Sequence, residues 1–214
     1  CSAVSAITND FPCPGPKFSN IYLEPFGGSI AILILSSFTY FFYLNNILIG
    51  LVSTSACLGG VLAFLRFNLS RGKRKIFMGD VGSLIVGFVL AVYATACLSS
   101  KFDSSDFFVN KPVYVLALFA YPFIDTLRVF YLRTKAGKSP FKADRNHLHH
   151  KLLDFGYSHV QSTLIILGYC LLVILSAVVF HESSIYLHLL FTFLTSIVLL
   201  LLILRVICKK KKKC

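Results

Sequence analysis

The stretch at positions 185–207 reads IYLHLLFTFLTSIVLLLLILRVI and contains one formal charge, at Arg205. A helix needs about 20 mostly apolar residues to cross the hydrocarbon core of a bilayer, and this stretch is long enough. The lysine run at 209–213 that follows it is typical of a stop-transfer flank or a solvated tail. We therefore expect a transmembrane helix here.

Five further apolar runs of similar length precede this one. Of the 214 residues, 56% are apolar and 14% are charged, and the mean hydropathy is +0.75. These values exclude an ordinary soluble domain. The sequence predicts an all-α, polytopic membrane protein of about six transmembrane helices, with spans near 29–44, 47–65, 82–98, 113–131, 160–180 and 185–207.

The positive charge is concentrated in alternate loops. Lys and Arg number 21 against nine Asp and Glu, which gives a net charge of +12. Basic residues gather after the second and fourth runs and at the chain end, whereas the alternate loops contribute only Lys101 and Lys111. The positive-inside rule then places both termini and the basic loops in the cytoplasm, beside anionic membrane lipids. We expect no nucleic-acid partner, because no basic stripe with interleaved aromatic residues lies in a soluble domain.

The chain is predicted to have three regions. Residues 1–27 are rich in proline and show neither helical nor strand periodicity, so we expect them to be irregular or non-native. Residues 28–208 would form the six-span domain, and residues 209–214 a basic cytoplasmic tail. The seven cysteines include no C-x-x-C pair, which is evidence against a zinc site or a disulfide framework.

The first candidate site is Asp80, which lies close to two glycines in the segment MGDVGS at 78–83, where the third run begins. One interpretation is a helix cap that accepts backbone N–H groups. The other is a ligand for Mg²⁺, because an unobstructed carboxylate lets phosphate oxygens complete the coordination of the ion. This short pattern alone favours the cap.

The second candidate site is the loop KSPFKADRNHLHHK at 138–151. His147, His149 and His150 are three of the six histidines of the chain, and Arg145 lies beside them. Imidazole and guanidinium groups suit the binding of phosphate oxygens. A transition-metal site is the competing interpretation, although only Asp144 and Asp154 are near enough to add ligands.

The same loop is predicted to contain a helix of about three turns, capped by Asp144 and ended by Gly156. The helix would lie on the membrane surface with an apolar and a polar face. The apolar face would consist of Leu148, Leu152 and Phe155, and the polar face of His147, His150, Lys151 and Asp154.

Asp125 lies inside the fourth apolar run, and an ionisable residue within a span is a functional candidate by default. The alternative is a local ion pair with Arg128, three residues later. Other polar residues near span ends are predicted to be interfacial, namely His159, His181, Glu182 and His188.

Two motifs on consecutive basic loops, KIFMGDVGS at 75–83 and SPFKADRNHLHH at 139–150, resemble signatures of the polyprenyl-phosphate N-acetylhexosamine-1-phosphate transferases. The resemblance covers roughly residues 28–208. It is greatest for the branch that uses UDP-N-acetylglucosamine in the synthesis of O-antigen, enterobacterial common antigen or teichoic acid. It implies a multi-pass enzyme of the bacterial plasma membrane with its catalytic loops on the cytoplasmic face.

The resemblance also implies a reaction and its participants. A sugar-1-phosphate would pass from a UDP-N-acetylhexosamine to undecaprenyl phosphate with release of UMP and with Mg²⁺ as cofactor. By this resemblance Asp80 is the Mg²⁺ ligand and a catalytic residue. The expected catalytic residues also include His147, His149 and His150, and the expected substrate-binding residues are Arg145, Asp144, Lys138 and Asp125. A homodimer is one of the oligomeric states that the sequence leaves open.

The sequence departs from the family before the first run. An Asp-Asp pair and an Asp-Gly-Ile-Asp-Gly motif are expected there, but residues 20–27 read NIYLEPFG. We therefore expect the chain to be the C-terminal portion of a longer enzyme and to be inactive alone, and UMP release by the purified chain would contradict this.

Three other functions remain open: a non-catalytic membrane subunit, a small transporter, and a relative that binds UDP-sugar without turnover. In a transporter, Asp125 would act as a relay within the membrane. The absence of an internal repeat and the grouping of the candidate residues on one aqueous face favour the enzyme.

Overall fold

The computed structural model describes residues 25–69, 76, 79–99, 109–137, 139, 147–180 and 184–211. Within these ranges the chain forms seven α-helices and no strand, which confirms the all-α prediction. The helices are α1 (Pro25–Leu44), α2 (Leu48–Asn68), α3 (Gly79–Ser99), α4 (Lys111–Lys135), α5 (Leu148–Asp154), α6 (His159–Val179) and α7 (Ile185–Lys211).

All of these helices except α5 are long and apolar enough to cross a membrane. Their apolar segments contain 19 to 25 residues, and the mean hydropathy within them is between 1.5 and 2.6. Each predicted run falls within one helix or exceeds it by one residue. The protein is therefore a multi-pass membrane protein, as the sequence predicted.

The first helix begins earlier than expected, at Pro25, so residues 25–27 belong to the bundle and not to the irregular segment. Proline is well tolerated in the first turn of a helix, because the N–H that it lacks would have no partner within the helix there. Phe26 also packs against the ring of Tyr121 in α4, with the ring centroids 5.5 Å apart. Proline content alone therefore misplaced this boundary.

The centre of the bundle is formed by α1, α4 and α6. In the apolar segments of α1 and α4, 44% and 56% of the residues are buried, against 11% in α2 and 22% in α3. Aromatic and branched side chains fill the core, and the Tyr114 hydroxyl of α4 donates to the Ser37 carbonyl of α1 at 2.7 Å. The largest fully buried side chains include Ile34, Phe38, Phe41, Leu118, Ile166 and Val173.

The first two helices form a tight antiparallel hairpin. Asn46, in the connecting turn, has a φ of +53°, and a Cβ on Gly50 would lie 2.6 Å from the ring of Phe42. At the other end of the hairpin, a Cβ on Gly28 would lie 3.5 Å from Leu65. The end of α2 therefore lies beside the beginning of α1.

Helices α6 and α7 are joined by polar contacts in the apolar interior. The Tyr169 hydroxyl contacts the Ser196 hydroxyl and donates to the Ser196 carbonyl at 3.2 Å. Thr195, which directly precedes Ser196 in α7, shares a hydrogen bond of 3.2 Å with Ser176 of α6. Such contacts satisfy polar side chains where no water is available.

The prediction that His188 is interfacial is wrong, because its side chain is fully buried. Its Nε2–H donates to the Ala177 carbonyl of α6 at 2.7 Å. Carbonyl groups in the last turn of a helix have no N–H partner within that helix, so Ala177 offers an acceptor that stabilises the buried ring. His159 is partly buried at the start of α6, while His181 and Glu182 lie outside the described residues.

Helix α5 ends as predicted at Gly156, whose φ is +80°. The Gly156 N–H donates to the Leu153 carbonyl at 2.9 Å and the Tyr157 N–H to the Leu152 carbonyl at 3.2 Å, which is a Schellman motif. The helix begins later than predicted, at Leu148 with His147 as N-cap, so it has seven residues and about two turns. The predicted cap, Asp144, lies outside the described residues.

The two faces predicted for α5 are only partly correct. Leu148 and Leu152 are fully buried and Phe155 is partly buried, as expected. Lys151 was expected on the polar face, but it is buried, with 7% of its surface exposed. The reason is that α5 packs against the end of the bundle, where it contacts α6 and is bonded to α4, so more than one of its faces is covered.

Candidate functional site

Asp125 lies at the centre of the polar contacts between α4 and α5. It is 3% exposed, and its Oδ1 accepts hydrogen bonds from Arg128 Nε at 3.1 Å and from Arg128 Nη2 at 2.8 Å. The predicted ion pair between these residues is therefore present. Arg128 is also buried, so the pair places two opposite charges together inside the protein.

The same carboxylate also reaches the histidine motif. His147 Nδ1 lies 2.9 Å from Asp125 Oδ2, and the Leu148 N–H donates to Oδ1 at 3.1 Å and to Oδ2 at 3.3 Å. Leu148 is the first residue of α5, and its N–H has no acceptor within that helix. Asp125 thus caps α5 from another helix. The local ion pair and the functional interpretation of Asp125 are compatible, because one carboxylate makes both sets of contacts.

These contacts determine which nitrogen of His147 carries hydrogen. An ionised carboxylate can only accept hydrogen bonds, so Nδ1 must be the donor toward Asp125. In the neutral ring, Nε2 is then left as an acceptor. The side chain of His147 is 36% exposed, against 4% for that of Asp125, so the pair extends from the protein interior to the aqueous surface.

The three histidines of the motif form a group with an aromatic neighbour. The ring centroids of His149 and His150 are 4.0 Å apart, and those of His147 and His149 are 6.0 Å apart. Phe26, from the first turn of α1, stacks on His149 at 4.7 Å. Sequence reasoning did not indicate this role for Phe26, because its neighbours are proline-rich and its partner lies more than a hundred residues away.

The three imidazoles do not share one environment. Burial, and then the neighbouring imidazoles of His150 and His147, lower the pKa of His149 to about 4. His149 is therefore neutral near pH 7, since desolvation and nearby positive charge both disfavour imidazolium. It can donate or accept one hydrogen bond at each nitrogen, but it adds no positive charge to the site.

The first candidate motif lies at the same end of the bundle. Asn68, at the end of α2, is buried, and its side-chain amide donates to the Ile76 carbonyl at 3.0 Å. Because α2 ends beside the start of α1, this bond holds Ile76, which precedes α3, at the end of the bundle where α1 begins. Gly79 begins α3 with a φ of +63°, which favours glycine, and Asp80 follows it in the first turn. Sequence reasoning did not identify Asn68.

Several predicted site residues cannot be placed. Lys138, Asp144 and Arg145 lie outside the described residues, and for Asp80 only the backbone is described. The cap and the Mg²⁺ ligand therefore both stay predictions for Asp80. The structure brings together Asp125, His147, His149 and His150, and it places the backbone of Asp80 at their end of the bundle.

Whether this end of the bundle could hold a metal ion depends on which side chains are able to coordinate one. Among the described residues, no group of three or more His, Cys, Asp or Glu side chains could hold a metal ion. Both oxygens of Asp125 already accept hydrogen bonds, so this carboxylate is poorly suited to coordinate one. Mg²⁺ commonly uses one or two carboxylates and completes its coordination with phosphate oxygens and water. A site with Asp80 as its single carboxylate ligand therefore stays a prediction.

The chain is similar to known proteins of the family that its two motifs resemble. Residues 25–98 match the family model described as Glycosyl transferase family 4. The chain is 38% identical over 124 residues to the decaprenyl-phosphate N-acetylglucosaminephosphotransferase of Mycolicibacterium smegmatis, a match that covers 55% of this chain and 29% of the relative. The protein of the same name from Mycobacterium tuberculosis is 38% identical over 130 residues, which is 58% of this chain and 31% of the relative.

A second group of relatives carries a related name. The undecaprenyl-phosphate alpha-N-acetylglucosaminyl 1-phosphate transferase of Salmonella typhimurium is 33% identical over 113 residues, which is 52% of this chain and 29% of the relative. The chain thus spans about a third of the length of the curated relatives that it matches. No solved structure matches it. These matches make the chain similar to glycosyl transferase family 4 over part of its length, and the family model covers residues 25–98.

Proposed function

We propose that this chain forms part of an enzyme that transfers N-acetylglucosamine 1-phosphate from UDP-N-acetylglucosamine to a polyprenyl phosphate and releases UMP. The observation that carries the proposal is the position of the histidine motif. The imidazole of His147 is bonded to Asp125 at the end of a membrane bundle where α3 also begins, with Asp80 in its first turn, and the rings of His149 and His150 lie beside it. The names of the relatives support a polyprenyl-phosphate acceptor and an N-acetylglucosamine phosphate group.

The two proposed substrates require positive charge and hydrogen-bond donors, and residues at the α5 end of the bundle could supply both. Both are phosphates, so positive charge and hydrogen-bond donors must offset their mutual repulsion and the charge that develops on the transferred group. Mg²⁺ bound through Asp80 would supply part of that charge. His147, His150 and Arg145 would contact phosphate oxygens, and Lys138 with the other basic residues of the two loops would attract the nucleotide sugar.

The reaction we propose is a phosphoryl transfer. A phosphate oxygen of the lipid attacks the β-phosphorus of UDP-N-acetylglucosamine, the bond from that phosphorus to the bridging oxygen breaks, and UMP leaves with the electron pair. The long isoprenyl chain requires an apolar approach. The exposed faces of α2 and α3 are apolar along their length, so the lipid can reach this end from the side.

We further propose the location and the pathway. The basic loops favour a cytoplasmic site by the positive-inside rule, and undecaprenyl phosphate is the acceptor expected in a bacterial plasma membrane. The product would then enter the synthesis of lipopolysaccharide or of another cell-surface polysaccharide.

Binding of UDP-N-acetylglucosamine to the purified chain tests this proposal without requiring turnover. Isothermal titration with Mg²⁺ should show binding that weakens about tenfold or more when Asp80 is changed to Asn, because one metal ligand loses its charge. Asp154→Asn is the matched control, since Asp154 is an exposed carboxylate of α5. The proposal would be contradicted by a native chain that does not bind, which is the result expected of an unrelated transporter or membrane subunit. Binding without UMP release by the full-length protein would instead indicate a relative that does not turn the sugar over.

A further inference from the structure

Every hydrogen bond that the described residues make with the Asp125 carboxylate comes from a donor group. Its two oxygens accept from Arg128 Nε and Nη2, from the Leu148 N–H and from His147 Nδ1, at 2.8–3.3 Å. A carboxylate offers about four acceptor positions, and these contacts occupy them. Oδ1 faces Arg128 and the helix start, whereas Oδ2 faces the imidazole. The carboxylate therefore does more than pair with Arg128: it also fixes the hydrogen of His147 on Nδ1.

A role limited to capping α5 would not require this arrangement. The Leu148 N–H needs only one acceptor, and a neutral asparagine oxygen would provide it. An asparagine amide directed at His147 would instead donate to Nδ1, so the ring hydrogen would move to Nε2. A carboxylate and an amide at position 125 thus predict opposite tautomers of His147, although they are nearly equal in size.

We propose that Asp125 is a positioning residue that keeps Nε2 of His147 available as a proton acceptor for a phosphate monoester at the aqueous surface. This inference rests on the proposed function and adds a role that the transferase motif does not assign. When a phosphate monoanion binds, its remaining proton moves from the phosphate oxygen to Nε2, while Nδ1 keeps its own hydrogen and donates it to Asp125. The products are a phosphate dianion and an imidazolium, and no other bond changes.

The surroundings of His147 are consistent with this role. The second proton of a phosphate monoester has a pKa of about 6, so it is given up readily near neutral pH. In the part of the chain that the structure describes, the charged or titratable groups grouped around this ring include Asp125 and Arg128 on α4, and His149 and His150 on α5. Asp125 alone among them carries negative charge, and it contacts the ring directly, so it stabilises the imidazolium that forms.

The hydrogen position can be measured directly by ¹⁵N NMR of the full chain labelled in its histidines, with His147→Gln used to assign the ring signals. The neutral His147 ring should have hydrogen on Nδ1 in the native chain and on Nε2 in Asp125→Asn. Asp154→Asn should leave the tautomer unchanged. Hydrogen on Nε2 in the native chain would overturn the inference, and this result requires no variant that might misfold.

Addition of farnesyl phosphate tests the proton acceptor. At pH 6, where about half of the phosphate still carries its second proton, the ligand should convert His147 toward imidazolium in the native chain and in Asp154→Asn, but not in Asp125→Asn. Its affinity should fall about tenfold in Asp125→Asn, as expected when a charge-assisted hydrogen bond is lost. Equal conversion in all three proteins, or none in the native chain, would contradict the inference. Failure of the proposed function would be recognised by a different result, namely a native sample that does not bind UDP-N-acetylglucosamine in the presence of Mg²⁺.

Discussion

Two histidines of this protein bind their neighbours in different ways. His188 is fully buried between α6 and α7, and its Nε2–H donates to the backbone carbonyl of Ala177. His147 is bonded through Nδ1 to the carboxylate of Asp125, and about a third of its side chain remains exposed. A neutral carbonyl accepts the ring N–H but adds no negative charge that would stabilise the protonated ring. A carboxylate also fixes the tautomer and stabilises the protonated ring, so the exposed nitrogen can take part in chemistry.

The comparison shows that the partner and the exposure of a histidine separate a structural role from a chemical one. His188 lies near the start of a span and His147 at the start of the short helix α5, and neither position in the sequence reveals the partner. Removal of the His188 bond should therefore change stability and leave ligand binding unchanged. Removal of the His147 bond should change ligand binding and the tautomer of the ring. The following predictions test this contrast.

The largest effect is expected from Asp125→Ala. This change leaves the buried Arg128 without its carboxylate and removes the cap of α5, which should cost about 3–5 kcal/mol in the free energy of unfolding. Unfolding in mixed micelles with increasing SDS measures this cost. Asp125→Asn should cost less, because an amide oxygen still accepts from Arg128 and from the Leu148 N–H. Equal losses in the two variants would show that the charge of Asp125 is unimportant.

The next effect is the pH dependence of α5 docking. The pKa of His149 is about 4 in the folded chain and about 6.5 when exposed, so the unfolded state binds more protons between these values. Docking should be fully stable above pH 6.5 and should weaken on the order of 2–3 kcal/mol as the pH falls to 4. Hydrogen exchange of the α5 amides measures this loss. His149→Phe should remove most of it, whereas an unchanged pH dependence would show that other groups cause it.

His188→Ala tests the structural side of the comparison. Loss of the Ala177 hydrogen bond and of a fully buried ring should lower the free energy of unfolding by about 2 kcal/mol. The affinity for UDP-N-acetylglucosamine should stay within about twofold, because the residue lies far along the bundle from α5. His147→Ala should show the reverse pattern. A large loss of affinity in His188→Ala would break the distinction between the two residues.

The smallest effect is expected at the end of α5. Gly156 adopts a φ of +80°, so Gly156→Ala should cost about 1 kcal/mol through backbone strain and should loosen the Schellman motif. Gly168→Ala is the matched control, since Gly168 lies in the helix α6 and a Cβ there would meet nothing within 4 Å. Thermal unfolding should therefore separate the two variants, with Gly168→Ala neutral or stabilising. Equal destabilisation would indicate that the strained turn is not what holds α5.

The spans could be predicted from sequence because hydrocarbon requires a long apolar segment, and that requirement acts on each segment separately. The end of α5 at Gly156 was predictable for a similar reason, since a left-handed residue is a local need. The start of α5 was not, because the group that caps it is Asp125, on a different helix. Likewise Lys151 was assigned to a solvated face, although packing against the bundle buries it.

The site was only partly predictable. The motifs indicated Asp125 and the histidines separately, but neither composition nor periodicity relates position 125 to position 147. Phe26 and Asn68 gave no signal, because an aromatic ring and an amide become informative only when their partners, His149 and the Ile76 carbonyl, are known. His188 was predicted to be interfacial from its position alone. The carbonyl that accepts its hydrogen bond belongs to Ala177, on another helix.

The central claim is that the end of the bundle at α5 binds phosphate groups of a nucleotide sugar. It is tested most directly by ¹⁵N signals of the histidine rings as UDP-N-acetylglucosamine and Mg²⁺ are added, with uridine as the control that lacks phosphate. The account predicts that the nucleotide sugar shifts the signals of His147, His149 and His150 and leaves that of His188 in place, whereas uridine shifts none. Signals of α5 that stay unchanged at saturating ligand, or that respond equally to uridine, would contradict it.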